Sequence, residues 1–306
     1  MKPFFILFLS LSIFSLKAQN LDWWDALHNY PNAAGPDRLD YIVIAPGYMG
    51  PNALRMPLLG NVIIEDHISF DIRFENHQGN GDKTINPFLQ FNFPIKKGRA
   101  LFYVNSIPIE SYEVTTETRD ERRMMDFSGK GRTTGDISFG LVYKIFDENL
   151  KWPFNFSMTA HSKTTTGGNV ANARFSDASM FHWQGTFSKT FAKTDRSHFL
   201  AKAMLGFYTW QTNINGLING STSRQNDAPL YGIGLEYETG LWHFDTDFSG
   251  YYGYQGHRDY PGFLRFNMIR DIKGGEISLG YNVGVKTWDW NTFSIGYRIN
   301  VVELLN

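Results

Sequence analysis

The stretch Gly275–Val302 reads GEISLGYNVGVKTWDWNTFSIGYRINVV, and it sets the period in which the rest of the chain is read. In its first half Ile277, Leu279, Tyr281, Val283 and Val285 alternate with Ser278, Gly280, Asn282, Gly284 and Lys286. In its second half Phe293, Ile295, Tyr297, Ile299 and Val301 alternate with Thr292, Ser294, Gly296, Arg298 and Asn300. Side chains change face at every step along a strand, so both halves are strands with one apolar face. Each run is about ten residues long, which suits a strand tilted across a hydrocarbon layer. A large β-sandwich in water alternates in the same way, so the decision between lipid and water falls to the other segments.

The pattern recurs upstream. Ile68, Phe70, Ile72 and Phe74 oppose Ser69, Asp71, Arg73 and Glu75, and Leu89, Phe91, Phe93 and Ile95 oppose Gln90 and Asn92. Residues 99–113 form a less regular strand interrupted at Pro108. Ile137 to Ile145, Phe154 to Ala160, Phe181 to Phe191, Phe199 to Phe207, Tyr231 to Tyr237, Trp242 to Tyr252 and Leu264 to Met268 complete the series. The sum is an all-β chain: a transmembrane, antiparallel, up-and-down β-barrel of about 12 strands. Short connections (96–98, 147–151, 192–197, 239–240, 271–275) alternate with longer ones near 76–84, 114–133, 164–178, 212–227, 255–262 and 287–290. Outer-membrane barrels segregate short periplasmic turns from longer external loops, and an even strand count puts both termini in the periplasm. Trp152, Phe154, Trp242, Trp288 and Trp290, near strand ends, read as interfacial girdles.

Composition agrees. The chain has 306 residues, is 16% aromatic and contains no cysteine, so no disulfide can staple it. Mean hydropathy is −0.31, as expected where lumen-facing polar residues cancel lipid-facing apolar ones. A formal charge of −1 gives nucleic acid no basic surface to bind. Residues 1–18, with the apolar run Phe4 to Leu16 before Ala18, read as a signal peptide. Residues 19–60 are broken by Pro31, Pro36, Pro46, Pro51 and Pro57 and cannot form a regular strand throughout. They are a candidate hatch in the lumen or a leader before the first strand, with Trp23 and Trp24 as hatch candidates; residues 61–306 are the barrel.

Functional residues are sought on the inward face. It collects Asp71, Arg73, Glu75, Lys144, His161, Lys163, Glu236, His243, Asp245, Asp247, Arg265 and Arg298. Barrels of about eight strands are filled by side chains and those of about 16 hold water channels, so a mixed-charge interior reads either as a rigidifying ion-pair network or as a narrow permeation path. No cofactor, metal or catalytic residues are assigned. His67 and Ser69 share a face with the His-x-Ser spacing of outer-membrane phospholipases and lipid A deacylases, but they fall at the periplasmic end, where such enzymes do not work. Asp245 and Asp247 share a face and could hold a cation, although solvated lumen charge is the simpler reading. Residues 118–123 read as a solvated external loop touching lipopolysaccharide phosphates, and Lys189 as an apolar-face lysine that snorkels to the interface.

One region resembles a known family. Gly135-Asp136 opens a strand, Lys163-Thr164-Thr165-Thr166-Gly167 ends the next, and Phe175-Ser176-Asp177-Ala178 opens another. This resembles the outer-membrane barrels of the phenol meta-cleavage pathway, distant relatives of the long-chain fatty acid transporters; Thr165 stands where that family tends to carry proline. The Ala18-Gln19 end of the leader resembles those of Bacteroidota envelope proteins. The resemblance implies passive uptake of small molecules, hydrophobic ones included, past an N-terminal hatch. The expected function is therefore an outer-membrane channel without chemistry of its own, in contact with outer-membrane lipid, lipopolysaccharide and a small-molecule solute. The alternatives are a closed barrel that binds an envelope protein partner, and a lipid-modifying enzyme.

Overall fold

The computed structural model describes residues 20–31, 35–60, 64, 66–96, 98–217, 222 and 224–301. The expected signal peptide lies outside the described residues. The chain forms two units, Met1–Gly35 and Pro36–Asn306. In the first, helix α1 (Asp22–His28) is preceded by Asn20, whose side chain accepts from the N–H of Asp22 at 2.8 Å. Asn29 ends the helix in the left-handed conformation, at φ 51°. Trp24 lies 4.7 Å from His28 and 5.9 Å from Tyr30, ring centroid to centroid.

The second unit is a closed antiparallel barrel of 12 strands. These are β1 (Ser69–Gly79), β2 (Asp82–Lys96), β3 in two pieces (Ala100–Ser106 and Glu110–Val114), and β4 in two pieces (Lys130–Thr133 and Ile137–Phe146). They continue as β5 (Asn155–Lys163), β6 (Ser179–Lys193), β7 (Ser197–Gln211), β8 (Gln225–Thr239), β9 (Trp242–Tyr251), β10 (Pro261–Ile272), β11 (Gly275–Lys286) and β12 (Asn291–Asn300). Each strand pairs with its sequence neighbours. Closure comes from β1, which pairs with β2 on one side and with β12 on the other, from Ser69↔Asn300 to Gln78↔Asn291. The break in β3 falls at Pro108, which has no N–H to give the ladder, and β4 breaks beside it. No helix among the described residues is long and apolar enough to cross a membrane.

The alternation fixes which face is which. Trp183 is 66% exposed and Leu205 67%, and Phe74, Ile85, Ile233 and Phe293 also face outward. A belt of large apolar side chains around a closed barrel is stable in hydrocarbon, where every backbone group is paired inside the sheet. A cavity of about 430 Å³ is lined by Leu235, Phe244, Phe266, Leu279 and Phe293 together with Glu236 and Asp245.

Three details depart from the sequence reading. The connection expected near 76–84 is a tight hairpin: β1 and β2 run on to Asn80 and Gly81, both at positive φ, as the two-residue turn of a right-twisted ribbon requires. Residues 118–123 are not a solvated loop. They lie in and just after helix α2 (Thr116–Glu121), and Arg119 and Arg122 are buried. Trp288 and Trp290 are not girdle residues. They are buried in the apolar cluster within the barrel, and Trp290 meets His77 edge-on at 6.4 Å. Trp152, by contrast, is exposed, in the connection between β4 and β5.

Candidate functional site

The lumen is divided between apolar and charged linings. Toward the end with the longer loops, the inward residues Met180, Met204, Tyr208, Trp210, Ala228, Leu230, Tyr251 and Phe263 form one apolar cluster. Against them pack Ile42, Ile44, Met49, Ala53, Leu54, Met56 and Leu59, from a segment with no regular strand. The part of the candidate hatch from Ile42 to Leu59 is therefore packed inside the barrel. Trp23 and Trp24 fall in the first unit instead. Burying an aliphatic side chain is worth about 1.5–3 kcal/mol, so Ile42, Ile44, Met49, Leu54 and Leu59 together hold the segment with an energy on the order of 10 kcal/mol.

Polar contacts orient this segment. Asn52 donates to Asn86 Oδ1 at 2.8 Å and to Glu110 Oε2 at 2.7 Å. Arg55 spans Glu75 with two bonds, 3.0 and 2.8 Å, and its guanidinium lies 4.6 Å above the ring of Phe88. On other walls Gln184 donates to the carbonyl of Leu58 at 3.0 Å and Arg265 to that of Leu59 at 3.2 Å. Nearer the start of the segment, Arg123 reaches the carbonyl of Tyr41 at 3.0 Å.

The loops close over this plug from the other side. Arg174, in the connection between β5 and β6, is fully buried. It donates to Glu110 at 2.7 Å, to Asp82 at 2.6 Å and to Thr84 at 2.7 Å, and stacks 4.5 Å above Tyr112. Burial alone would lower its proton affinity; Glu110 and Asp82 outweigh that and raise it above the ordinary arginine value. Arg122 shares the same Asp82 oxygen at 2.5 Å. Asp82 and Glu110 thus join a loop, a helix and, through Asn52, the inserted segment.

The twelve lumen candidates all face inward, but they fall into separate groups. Asp71 pairs with Arg298 at 2.6 Å, and Arg298 with Glu276 at 3.2 Å; Arg73 pairs with Glu75 at 2.7 Å. Farther round, Lys202 joins Glu236 and Asp245, both at 2.8 Å, while Arg265 joins Asp245 at 3.1 Å and Asp247 at 2.5 Å. The place a cation would take between Asp245 and Asp247 is held by the Arg265 guanidinium. Lys163 pairs with Asp136 at 2.5 Å, Lys144 with Asp147 at 3.2 Å, and His243 with Glu238 and Asp271 at 3.2 and 3.0 Å. His161 stacks on His182 at 4.6 Å and meets the hydroxyl of Tyr103 at 2.9 Å. Lys189 pairs with Glu148 at 3.4 Å beside a turn. Ser69 is buried and accepts from Asn92 at 3.0 Å, so its hydroxyl sits in the wall network with no access for a lipid ester.

Sequence reasoning missed Lys202, Arg55, Asp82, Glu110, Asp136, Arg122 and Arg174. Lys202 was within reach, since it alternates with the outward Ala201 and Ala203. Arg55 and Arg174 lie on segments without a period, so no spacing announces them.

Fold and lumen together define a closed, antiparallel twelve-strand barrel with a segment of its own chain packed inside. No family model matches the chain, and no curated protein does. Among solved structures it is similar to an outer-membrane channel from Pseudomonas putida F1, at 10% identity and TM-score 0.49 over 78% of this chain and 98% of that one. It is also similar to the KdgM porin, at 8% identity and TM-score 0.43 over 76% and 98% of the two chains. The transport unit of the autotransporter AIDA-I from Escherichia coli matches at 10% identity and TM-score 0.46, over 84% and 98%. At such values the likeness carries no functional argument.

Proposed function

We propose that this chain is an outer-membrane channel for passive entry of small molecules, closed at rest by residues 36–60 and without catalytic activity. One observation carries the reading: a segment of the chain that is not part of the wall packs inside the lumen against the wall's inward side chains. Small eight-stranded barrels are filled from their walls; a larger bore stoppered by an inserted segment is a bore that can be cleared. Both termini lie in the periplasm on this reading, and the longer loops face outward against lipopolysaccharide. The test is single-channel conductance of the folded protein in a planar bilayer, with and without residues 20–60. Conductance that rises on removing the segment is the expected result.

A second reading is a closed barrel serving a protein partner of the envelope. It is favoured by Arg122, Arg174 and Trp290, which come from loops and are also drawn into the lumen. Silence of both forms in the bilayer is the outcome that would replace the channel with this alternative.

A further inference from the structure

The way past the hatch is written in how unevenly the hatch is held. Toward β1–β3 it is tied by Arg55 to Glu75 through two bonds and by Asn52 to Asn86 and Glu110. Toward β5 and β6, among the described residues, the ties are Gln184 to the carbonyl of Leu58 and, in the connection between these strands, the N–H of Gly50 to the carbonyl of Ala173.

The wall behind that tie has its own chemistry. Paired rungs of β5 and β6 place His161 beside His182, Thr159 beside Gln184, Ser157 beside Thr186 and Asn155 beside Ser188. All eight point inward, and none is an acid, a lysine or an arginine. At about 3.3 Å per residue the stripe runs roughly 20 Å along the wall. Three successive inward residues of β6 carry a buried polar atom with no hydrogen-bond partner: His182 Nδ1, Gln184 Oε1 and Thr186 Oγ1. Buried polar groups in folded proteins are nearly always partnered. Tyr208, Trp210 and Tyr251 of the apolar cluster carry such atoms too, and what sets the β6 trio apart is that it falls in an unbroken run of amide, hydroxyl and imidazole side chains able to hydrogen-bond a solute. The next strand differs at the same height, where Thr186 pairs with Met204 of the apolar cluster.

Resting on the channel reading above, we infer that the hatch opens by parting from β5 and β6 while its ties to β1–β3 hold, and that the exposed stripe is the path for small, uncharged, hydrogen-bonding solutes. Parting hydrates the three unpartnered atoms and leaves Arg55 and Asn52 bonded. The stripe's amide, hydroxyls and imidazoles suit polyols and similar neutral solutes; the lysines in register beside it, Lys144 with Ser157 and Lys202 with Ser188, are already engaged by Asp147 and by Glu236 and Asp245.

The chain has no cysteine, so single cysteines report on this directly. In the full-length protein in liposomes, Thr186→Cys and Ser157→Cys test the stripe, and Met204→Cys and Leu230→Cys test the apolar side. Each is treated with neutral methyl methanethiosulfonate and with its anionic sulfonatoethyl analogue, and rates are divided by those on free cysteine. The neutral reagent is expected to label the stripe positions at least about tenfold faster than the apolar ones, and faster than the anionic reagent does. Equal labelling of the two sides overturns the path, and equal rates for the two reagents overturn the solute class. A labelling difference in a barrel that never conducts would sink the channel reading alone. Conductance without a labelling difference would sink the path alone.

Discussion

Gly50 lies against Arg174 so closely that a Cβ on the glycine would stand 2.5 Å from the guanidinium carbon. Gly50 also donates its N–H to the carbonyl of Ala173 at 2.8 Å. The inserted segment and the loop thus meet backbone to backbone, and the glycine makes room for the arginine's bonds to Asp82 and Glu110. Gly50→Ala has nowhere to put its methyl group unless that guanidinium moves. The cost expected is about 1–3 kcal/mol, the usual range for overpacking a filled interior. The check is the denaturation midpoint in detergent, with channel openings counted in parallel; openings should become more frequent. An unchanged midpoint and unchanged opening frequency would mean that the contact between segment and loop is not tight.

Arg174 itself can be removed in two ways that separate charge from shape. Arg174→Met leaves Asp82 and Glu110 buried, with Arg122 the remaining cation on Asp82, and should cost about 3–5 kcal/mol. Arg174→Lys keeps the charge but cannot reach Glu110, Asp82 and Thr84 at once, because an ammonium lacks the planar fork. It should recover less than half of the loss. Full recovery by lysine, measured by equilibrium unfolding, would show that charge alone matters here.

The split between what the sequence disclosed and what it hid has a physical cause. Alternation is a local property of an extended backbone, so the wall, its inward charges and the Pro108 break were legible residue by residue. The side on which a connection folds is not local. Trp288 and Trp290 look like girdle residues from their place near strand ends, and only the packing of other loops draws them inside. The run around α2 looks solvated because its charges alternate in sign; burial of Arg122 depends on Asp82, forty residues away in the chain. The candidate site was half legible for the same reason. Asp245, Asp247 and Arg265 were found by parity, whereas Arg55 and Arg174 sit on irregular backbone that carries no period.

Lys202 bridges Glu236 and Asp245, and Arg265 bridges Asp245 and Asp247, so three carboxylates are held by two cations. Lys202→Met removes one of the two. The remaining cluster attracts cations and repels anions more strongly, because charges confined in a narrow polar bore are poorly screened. The reversal potential under a salt gradient should therefore move toward cation preference, in whatever openings the variant shows. Stability should also fall by a few kcal/mol, since Glu236 loses its close partner in a buried site. A reversal potential equal to that of the parent would place this cluster off the conducting path.

Leu205 decides between lipid and water outside. It lies near the middle of β7, faces outward and is 67% exposed, on a wall shared with Trp183 and Ile233. If this belt faced water, Leu205→Lys would be neutral or mildly favourable, since exposed positions tolerate charge. In a bilayer, a lysine near mid-depth on the lipid face costs about 2–4 kcal/mol. The measurement is reversible folding into phospholipid vesicles, comparing Leu205→Lys with Lys193→Leu near the turn end of β6, where a charge can reach the interface. The first substitution should destabilise by the stated amount and the second should change stability by less than about 1 kcal/mol. Equal and small effects at both positions would remove the hydrocarbon from around this barrel, and with it the channel.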